Sequence, residues 1–410
     1  MAVQNNEICM YSYNTRGSNE LKLKFIEDLI NLSGNRITIV CIQEHFLLRN
    51  NLKKISNYFS NSSVISKPAF KTFEAQNRGR PKGGLSIILP KYLRKSVKII
   101  LCKSWRIQCI VIEVNGESTL LINSYFPNDP GEVVDHVREL DDCLAEIGSL
   151  LHTHICNNYF LMGDLNADFL RNSSHVNCVK TFLSRHNMYS LWQDFPIDFS
   201  YSFEAANGNS YVKTLDHITT LERSRINVLD AGVIHRIENL SDHEPVYVIF
   251  RSTFKPVQEN LNNISNQKIS KPSWKMASDD QKLEYNDILF RKLLQAEVPE
   301  SVSGCRNIKC RNPNHLAEID SFMKTILDDI TEAAEETIPK PNHKPRDKKQ
   351  KGMAGWKDYV EPYQDRAKFW FSIWSSAGKP INTVLHNIMK KTRNQYHYQI
   401  RKCKRVEDFI

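Results

Sequence analysis

Short uninterrupted apolar runs alternate with amphipathic stretches along the chain. Glu7–Tyr13 has the pattern of a strand and stops at Asn14-Thr15-Arg16-Gly17. Leu23, Phe25, Ile26, Leu29 and Ile30 recur at helical spacing, which predicts a helix over 20–33 capped by Ser18 or Asn19. Ile37–Ile42 predicts a second buried strand, ending in Gln43-Glu44, and residues 45–83 carry no clear period. Strands follow at Leu85–Leu89, Val97–Leu101, Ile107–Val114 and Ser118–Tyr125, the last two joined by Asn115-Gly116, a strong hairpin signal. Residues 132–151 and 174–187 are predicted helices. Between them, Tyr159–Met162 is an apolar run that predicts a buried strand, and Gly163 lets the backbone turn at its end. Phe199–Phe203, Tyr211–Thr220, Ala231–Ile234 and Val246–Phe250 complete the strands. Hairpin-linked strands with crossover helices predict two packed sheets with helices outside.

Polar residues stand where these strands end: Asn14, Glu44, Tyr125, Asp164, Asn166, Asp216, Asp242 and His243. Strand ends are where α/β folds commonly place their chemistry. Asp164 and Asn166 project to one face if the extended geometry persists, an acid able to take a proton from water and an amide able to orient it. The plainer alternative is an Asx-rich turn capping the next helix. Each of the others has a plain alternative as well. A lone His can be a hydrogen-bonded core residue, a Tyr can be packing, Glu44 can cap the next segment and Asp216 can pair with a cation.

Taken together and in order, Tyr13-Asn14-Thr15-Arg16-Gly17, Gln43-Glu44, Asn123-Ser124-Tyr125, Gly163-Asp164-Leu165-Asn166-Ala167, Leu215-Asp216-His217-Ile218 and Ser241-Asp242-His243 resemble the endonuclease/exonuclease/phosphatase superfamily, which includes apurinic endonucleases. The resemblance spans residues 7–250. It implies a four-layered α/β/β/α sandwich, two packed mixed sheets flanked by helices, with a divalent-metal site at one edge. It assigns Asn14 and Glu44, with Asp242 nearby, to Mg²⁺, for which Mn²⁺ is a substitute. By the same resemblance Asp164 activates or positions the attacking water, Asn166 orients that residue and the phosphate, His243 with its partner Asp216 binds phosphate, and Tyr125 contacts it. Ser202 is the loosest assignment, a hydroxyl near the phosphate. Many repair-type members carry an acid where this chain has Arg16, which puts a second metal position in doubt. Within the superfamily the chain looks most like the N-terminal endonuclease of non-LTR retrotransposon polyproteins. Arg78-Gly79-Arg80-Pro81-Lys82-Gly83-Gly84 before a strand, the complete set of catalytic positions and the C-terminal tail support this. The implied activity is Mg²⁺-dependent nicking of duplex DNA, leaving a 3′-hydroxyl that primes reverse transcription, with element RNA as a further partner and the nucleus as the site of action. The rivals are a phosphatase or RNA nuclease of the same fold, and an inactive nucleic-acid-binding remnant.

Charge and composition add the C-terminal part. Residues 1–250 carry 26 Lys+Arg against 26 Asp+Glu, and residues 251–410 carry 29 against 20, so the net +9 lies wholly in the latter. That suits a polyanionic partner, and so does the basic loop holding Arg78, Arg80 and Lys82, although solvated surface charge gives the same pattern. The length allows two or three domains. The expected division is a nuclease domain at 1–252, a linker at 253–278, a helical segment at 279–338 and a basic, partly helical tail at 339–410 resembling the lead-in to a reverse transcriptase, so that the chain would be a fragment or truncated copy. Cys305, Cys310 and His315, five apart, offer a Zn²⁺ site that matches no standard finger, or else are surface or packed side chains. The ten Cys are scattered, several inside apolar strands, which suits an intracellular protein with reduced thiols. No apolar run approaches the ~18 residues of a membrane span, and the N-terminus shows no secretory signal.

Overall fold

The computed structural model describes residues 6–70, 80–129, 134–195, 201–205, 212–252, 272–274, 276–305, 307, 310, 312–339 and 355–407. It divides into two units, Met1–Gln258 with Met353–Ile410, and Glu259–Gly352. In the first unit, one mixed sheet is built from β1 (Asn6–Asn14), β2 (Ile37–Gln43), β3 (Ser62–Lys67), β4 (Leu85–Pro90), β13 (Val228–Val233) and β14 (Val246–Ser252), in the order β13-β14-β1-β2-β4-β3. A second holds β5 (Val97–Ile100), β6 (Ile107–Val114), β7 (Glu117–Tyr125), β8 (Asn158–Asp164), β9 (Met188–Ser190) and β12 (Asp216–Leu221), in the order β5-β6-β7-β8-β12-β9. β10 (Phe203–Glu204) and β11 (Val212–Lys213) pair separately. Helices α1 (Glu20–Leu32) and α2 (Lys53–Tyr58) cover the first sheet, and α3 (Val134–Thr153) and α4 (Ser174–Arg185) the second. A single turn, α5 (Glu222–Arg225), follows β12.

The two-residue period of a strand explains why the apolar runs are continuous. Ile8 and Met10 of β1 enter the core between the sheets, while Cys9, Tyr11 and Tyr13 face α1. On β8, Phe160 and Met162 face the first sheet, while Tyr159 and Leu161 lie under α3 and α4. β1 and β8 are therefore buried on both faces.

The face between the sheets changes character along the strands. Continuing the alternation past Ile8 and Met10 gives Ser12 and Asn14; past Ile39 and Cys41 it gives Gln43; past Phe160 and Met162 it gives Asp164. β12 runs antiparallel to β8, so its polar residue comes first, with Asp216 opposite Asp164. A buried amide layer sits just below. Gln43 Nε2 donates to Ser12 Oγ at 2.9 Å and to Asn123 Oδ1 at 2.8 Å, and Asn123 Nδ2 donates to the Ile42 and Ser86 carbonyls and to Gln108 Oε1, each at 3.2 Å. The bonds of Asn123 with Gln43, Ile42 and Ser86 cross from one sheet to the other and fix their spacing where the apolar core ends.

Gly163 lies within β8 rather than in a turn after it. Its φ is +150°, and a Cβ there would lie 1.9 Å from the Ser124 carbonyl oxygen of β7. Only glycine allows the two strands to close with Tyr125 beside Asp164. Gly163→Ala is expected to cost more than the ~1–3 kcal/mol of a strained backbone alone. The measurement is the urea midpoint, which should fall with the slope unchanged.

Among the described residues of the stretch without a clear period lie a 3-10 turn at Arg49–Asn51, α2 and β3. β3 is an edge strand of Ser-Ser-Val-Ile-Ser-Lys, half-buried, so it lacks the apolar signature. The expected Tyr211–Thr220 strand breaks between Lys213 and Asp216, and Tyr211, Phe199, Ser200 and Arg78 lie outside the described residues.

Residues expected as a separate tail from 339 onward belong in part to the first unit. α9 (Trp356–Tyr359), α10 (Glu361–Ser376) and α11 (Val384–Glu407) pack on it, with Val360, Ala367, Tyr396 and Ile400 closing on Ile237, and Trp374 and Met389 closing on Tyr201. Of the aromatic residues that interleave with basic ones there, Trp374 is fully buried and Phe369 exposed.

The second unit holds α6 (Asp279–Leu293), α7 (Glu300–Ser303) and α8 (Pro313–Thr337). α6 begins with a Ser278/Gln281 capping box, and Lys292 Nζ lies 2.8 Å from Glu332 Oε2 of α8. No helix among the described residues is long and apolar enough to cross a membrane.

Candidate active site

The ends of β1, β7, β8 and β12, with the loops after β2 and β13, bring the polar residues together. Asn14 Nδ2 donates to Glu44 Oε2 at 3.1 Å and to Asp164 Oδ2 at 2.9 Å, so one amide ties the first sheet to the second. Asp164 Oδ1 accepts the Asn166 N–H at 3.0 Å, and Asn166 Nδ2 donates to the Phe126 carbonyl at 2.9 Å. This is an Asx turn, and it holds the carboxylate in place. It does not cap the following helix, whose N-cap is Ser173. The extended geometry on which a shared face for Asp164 and Asn166 depends ends at Asp164, and Asn166, at φ +48°, belongs to the turn, as turn chemistry requires.

His243 Nδ1 is 2.8 Å from Asp216 Oδ2, and its Nε2 is 3.8 Å from Asp164 Oδ2. Asp164, Asp216 and His243 are all buried, and each brings an atom within 4.8 Å of the others. Burial works against a charged imidazole, but the carboxylates of Asp216 and Asp164 outweigh it and raise His243 to about 9. Burial pushes Asp164 up to about 7, with Asp216 and Glu44 adding to the rise and His243 and the Asn14 amide opposing it. Tyr125 is raised, first by burial and then by the charges of Glu44 and Asp164.

The strand that bears Asp216 and the loop that bears His243 are positioned by residues with no other evident task. Ser202 is fully buried, and its Oγ accepts the Leu215 and Asp216 N–H groups at 2.9 Å each. It orients Asp216 rather than presenting a hydroxyl at the surface. Ser241 Oγ donates to the Asn14 carbonyl at 2.7 Å. Asn239 accepts from Tyr13 OH at 2.6 Å and donates to the His243 carbonyl and to Glu244 Oε2, each at 2.7 Å. Glu244, fully buried, takes Arg393 of α11 at 2.8 Å, and Glu204 takes Lys390 at 2.9 Å. Glu244, Glu204, Asn239 and Arg393 are not legible as site residues. A single acid after Asp242-His243 has no special spacing, and its cation lies 149 residues further on. Part of the C-terminal positive charge is thus neutralised inside the fold.

At the rim, the Arg16 guanidinium pairs with the Asp242 carboxylate, and Arg80 lies 3.9 Å over the Phe46 ring. Lys82 is exposed on a bridge to Phe70. Glu44, Asp242 and Asn14 offer carboxylate and amide oxygens, the hard donors that Mg²⁺ takes. Asp242 Oδ1 is buried without a hydrogen-bond partner, the sort of acceptor a bound cation satisfies. In donor chemistry these residues fit a divalent cation. A cavity of about 820 Å³ lies elsewhere, lined by Phe169, Lys180, Tyr189, Trp192, Lys213 and His217 among others, and touches none of Glu44, Asp164, Asp216 or His243.

No family model and no curated protein matches the chain. Solved structures of similar fold do exist. An AP endonuclease of Leishmania major matches at 15% identity and TM-score 0.49, over 60% of this chain and 88% of that one. A 3′ phosphatase from Neisseria, bound to a product DNA hairpin, matches at 14% and 0.46, over 59% and 98%. The endonuclease domain of TRAS1, a telomere-specific non-LTR retrotransposon, matches at 16% and 0.43, over 60% and 99%. None of the three reaches a TM-score of 0.5, and none assigns a role to a residue of this chain.

Proposed function

We propose that the chain is a divalent-metal-dependent endonuclease that nicks duplex DNA and leaves a 3′-hydroxyl of the kind that primes reverse transcription. The observation that carries this is the buried Asp164, held between the Asn14 amide and the His243–Asp216 pair where the two sheets meet. Raised to about 7, Asp164 is matched to take a proton from water at neutral pH. The water oxygen bonds to phosphorus as its proton passes to Asp164, the bond from phosphorus to the 3′ oxygen breaks, and the leaving oxygen takes a proton from solvent to end as a hydroxyl. Cationic His243, oriented by Asp216, faces the charge that develops on the phosphoryl oxygens. Asn166 and Tyr125 border the same space from β8 and β7. Glu44, Asn14 and Asp242 would hold Mg²⁺, which when bound supplies polarisation of the scissile phosphate and neutralisation of the leaving oxygen. Arg16, Arg80 and Lys82 are exposed and suited to the backbone of a duplex. A retroelement setting, with element RNA as a second partner and a nuclear place of action, belongs to the same proposal.

The experiment is relaxation of supercoiled plasmid at fixed Mg²⁺, beside an oligonucleotide with one abasic site and a small phosphate monoester. The expected result is plasmid nicking that EDTA stops and that Glu44→Ala abolishes with the circular dichroism spectrum unchanged. With Arg16 where repair-type members carry an acid, the abasic duplex should react no faster than the intact one. Nicking that survives EDTA refutes the metal requirement. Preferred turnover of the monoester refutes the endonuclease.

A further inference from the structure

Three metal-ligating side chains of the second unit come together. Cys305, Cys310 and His315 each offer a ligand atom within 4.8 Å of the others'. Cys305 follows α7, and His315 lies in the first turn of α8, which Asn312 caps and Pro313 opens. Cys310 Sγ lies 3.4 Å from His315 Nδ1. A tetrahedral zinc with its usual Zn–S and Zn–N bond lengths sets those two atoms about 3.6 Å apart. That 3.4 Å contact is also a hydrogen-bond distance, and it lies within about 0.2 Å of the separation that a shared zinc ion imposes.

A second observation points the same way. Among the described residues this end of the unit buries little, although a Ser301–Glu318 hydrogen bond joins α7 to α8. Neither α6 nor α7 has a buried residue, and the buried residues of α8 are Ala333, Ala334 and Thr337, all near its far end. Leu316, Ile319, Met323 and Leu327 of α8 all keep more than a third of their surface exposed. Small units that bury little apolar surface commonly need a metal or a cross-link to order them. All three residues are partly exposed, so an ion can enter from solvent.

We propose that Cys305, Cys310 and His315 form a structural zinc site that pins the chain between α7 and α8. Both cysteines bind as thiolates and His315 binds neutral through Nδ1, so one Zn²⁺ enters, two protons leave and nothing is oxidised.

The test is the zinc content of the full chain after dialysis, with Cys310→Ser and His315→Ala as variants and Asp164→Asn as control. One zinc per chain in wild type and Asp164→Asn, and none above buffer in the two variants, is the expected result. Because the variants' second unit can fail to fold, the wild type is also stripped and titrated with Co²⁺. A thiolate-to-cobalt charge-transfer band should rise to saturation at one equivalent. Bound metal should shield Cys305 and Cys310 from alkylation mapped by peptide mass, and leave Cys178 as reactive as before. Overturning results are a metal-free wild type, zinc lost with Asp164→Asn instead, a cobalt spectrum without thiolate bands, or a Cys305–Cys310 disulfide in protein purified under reducing conditions.

Discussion

His243→Ala is expected to slow DNA nicking by at least about 10²-fold, the usual scale for a positioned proton-transfer or electrostatic group. The imidazole is buried and pressed by two carboxylates, 2.8 Å from Asp216 and 3.8 Å from Asp164. It therefore carries a positive charge in a water-poor place, where that charge acts on a phosphoryl group without first reorganising solvent. Asp216→Asn should cost a similar factor by a different route. It keeps a side chain of the same shape but removes the main charge holding the imidazole cationic, and burial then favours the neutral form. If the two residues act as one device, the double variant should be scarcely slower than either single one. Single-turnover nicking rates for the four proteins give the answer. Losses that multiply would mean that Asp216 and His243 act separately and that their hydrogen bond is only structural.

How far this site can be read from the chain depends on which interaction places each residue. Asn14 and Asp164 are legible because strand alternation is local: an apolar run ending in a polar residue of the right parity announces a core that ends in a polar layer. The two sheets are legible for the same reason, from continuous apolar runs and the Asn115-Gly116 hairpin. The helices over 20–33 and 174–187 begin and end within two residues of α1 and α4, whose N-caps Asn19 and Ser173 each accept a backbone N–H. What cannot be read depends on pairs far apart in the chain. β3 is recognisable only from its partner β4, because as an edge strand it keeps Ser63, Ser66 and Lys67 half-exposed. The close approach of Gly163 to Ser124 is set by strand pairing, so in sequence its glycine resembles a turn signal. The interplay of Arg16 with Asp242, 226 residues apart, carries no local signature.

Arg393→Met is expected to destabilise the first unit by about 3–5 kcal/mol, the usual consequence of leaving one member of a buried ion pair without its partner. Arg393 and Glu244 are both buried, the guanidinium donating to Glu244 at 2.8 Å and to the Asn239 carbonyl at 3.1 Å. Burial alone would raise Glu244, but Arg393, helped by His235 and Asn239, overrides it and holds the carboxyl at about 2. A carboxyl depressed when folded adds stability that is fully present above its unfolded pKa of about 4.3 and is lost as pH falls toward the folded value. Without Arg393 the sign reverses. Burial then lifts Glu244 above its unfolded pKa, so acidification relieves the variant where it weakens the wild type. The consequence reaches the loop that bears His243, because the Glu244 N–H donates to the Ser202 carbonyl at 2.6 Å, Ser202 Oγ holds the Asp216 N–H, and Asn239 links Glu244 to the His243 carbonyl. Arg393 is thus a positioning residue, and nicking per folded molecule should fall in Arg393→Met even at temperatures where circular dichroism finds it fully folded. The double variant Arg393→Met/Glu244→Met separates stability from positioning. Replacing both charges by apolar side chains of similar volume should restore much of the lost stability, since no charge is left unpaired. It should not restore the nicking rate, because neither methionine can replace the hydrogen bonds to Asn239. Full recovery of both stability and rate in the double variant would show that the pair fills space and does nothing for the site.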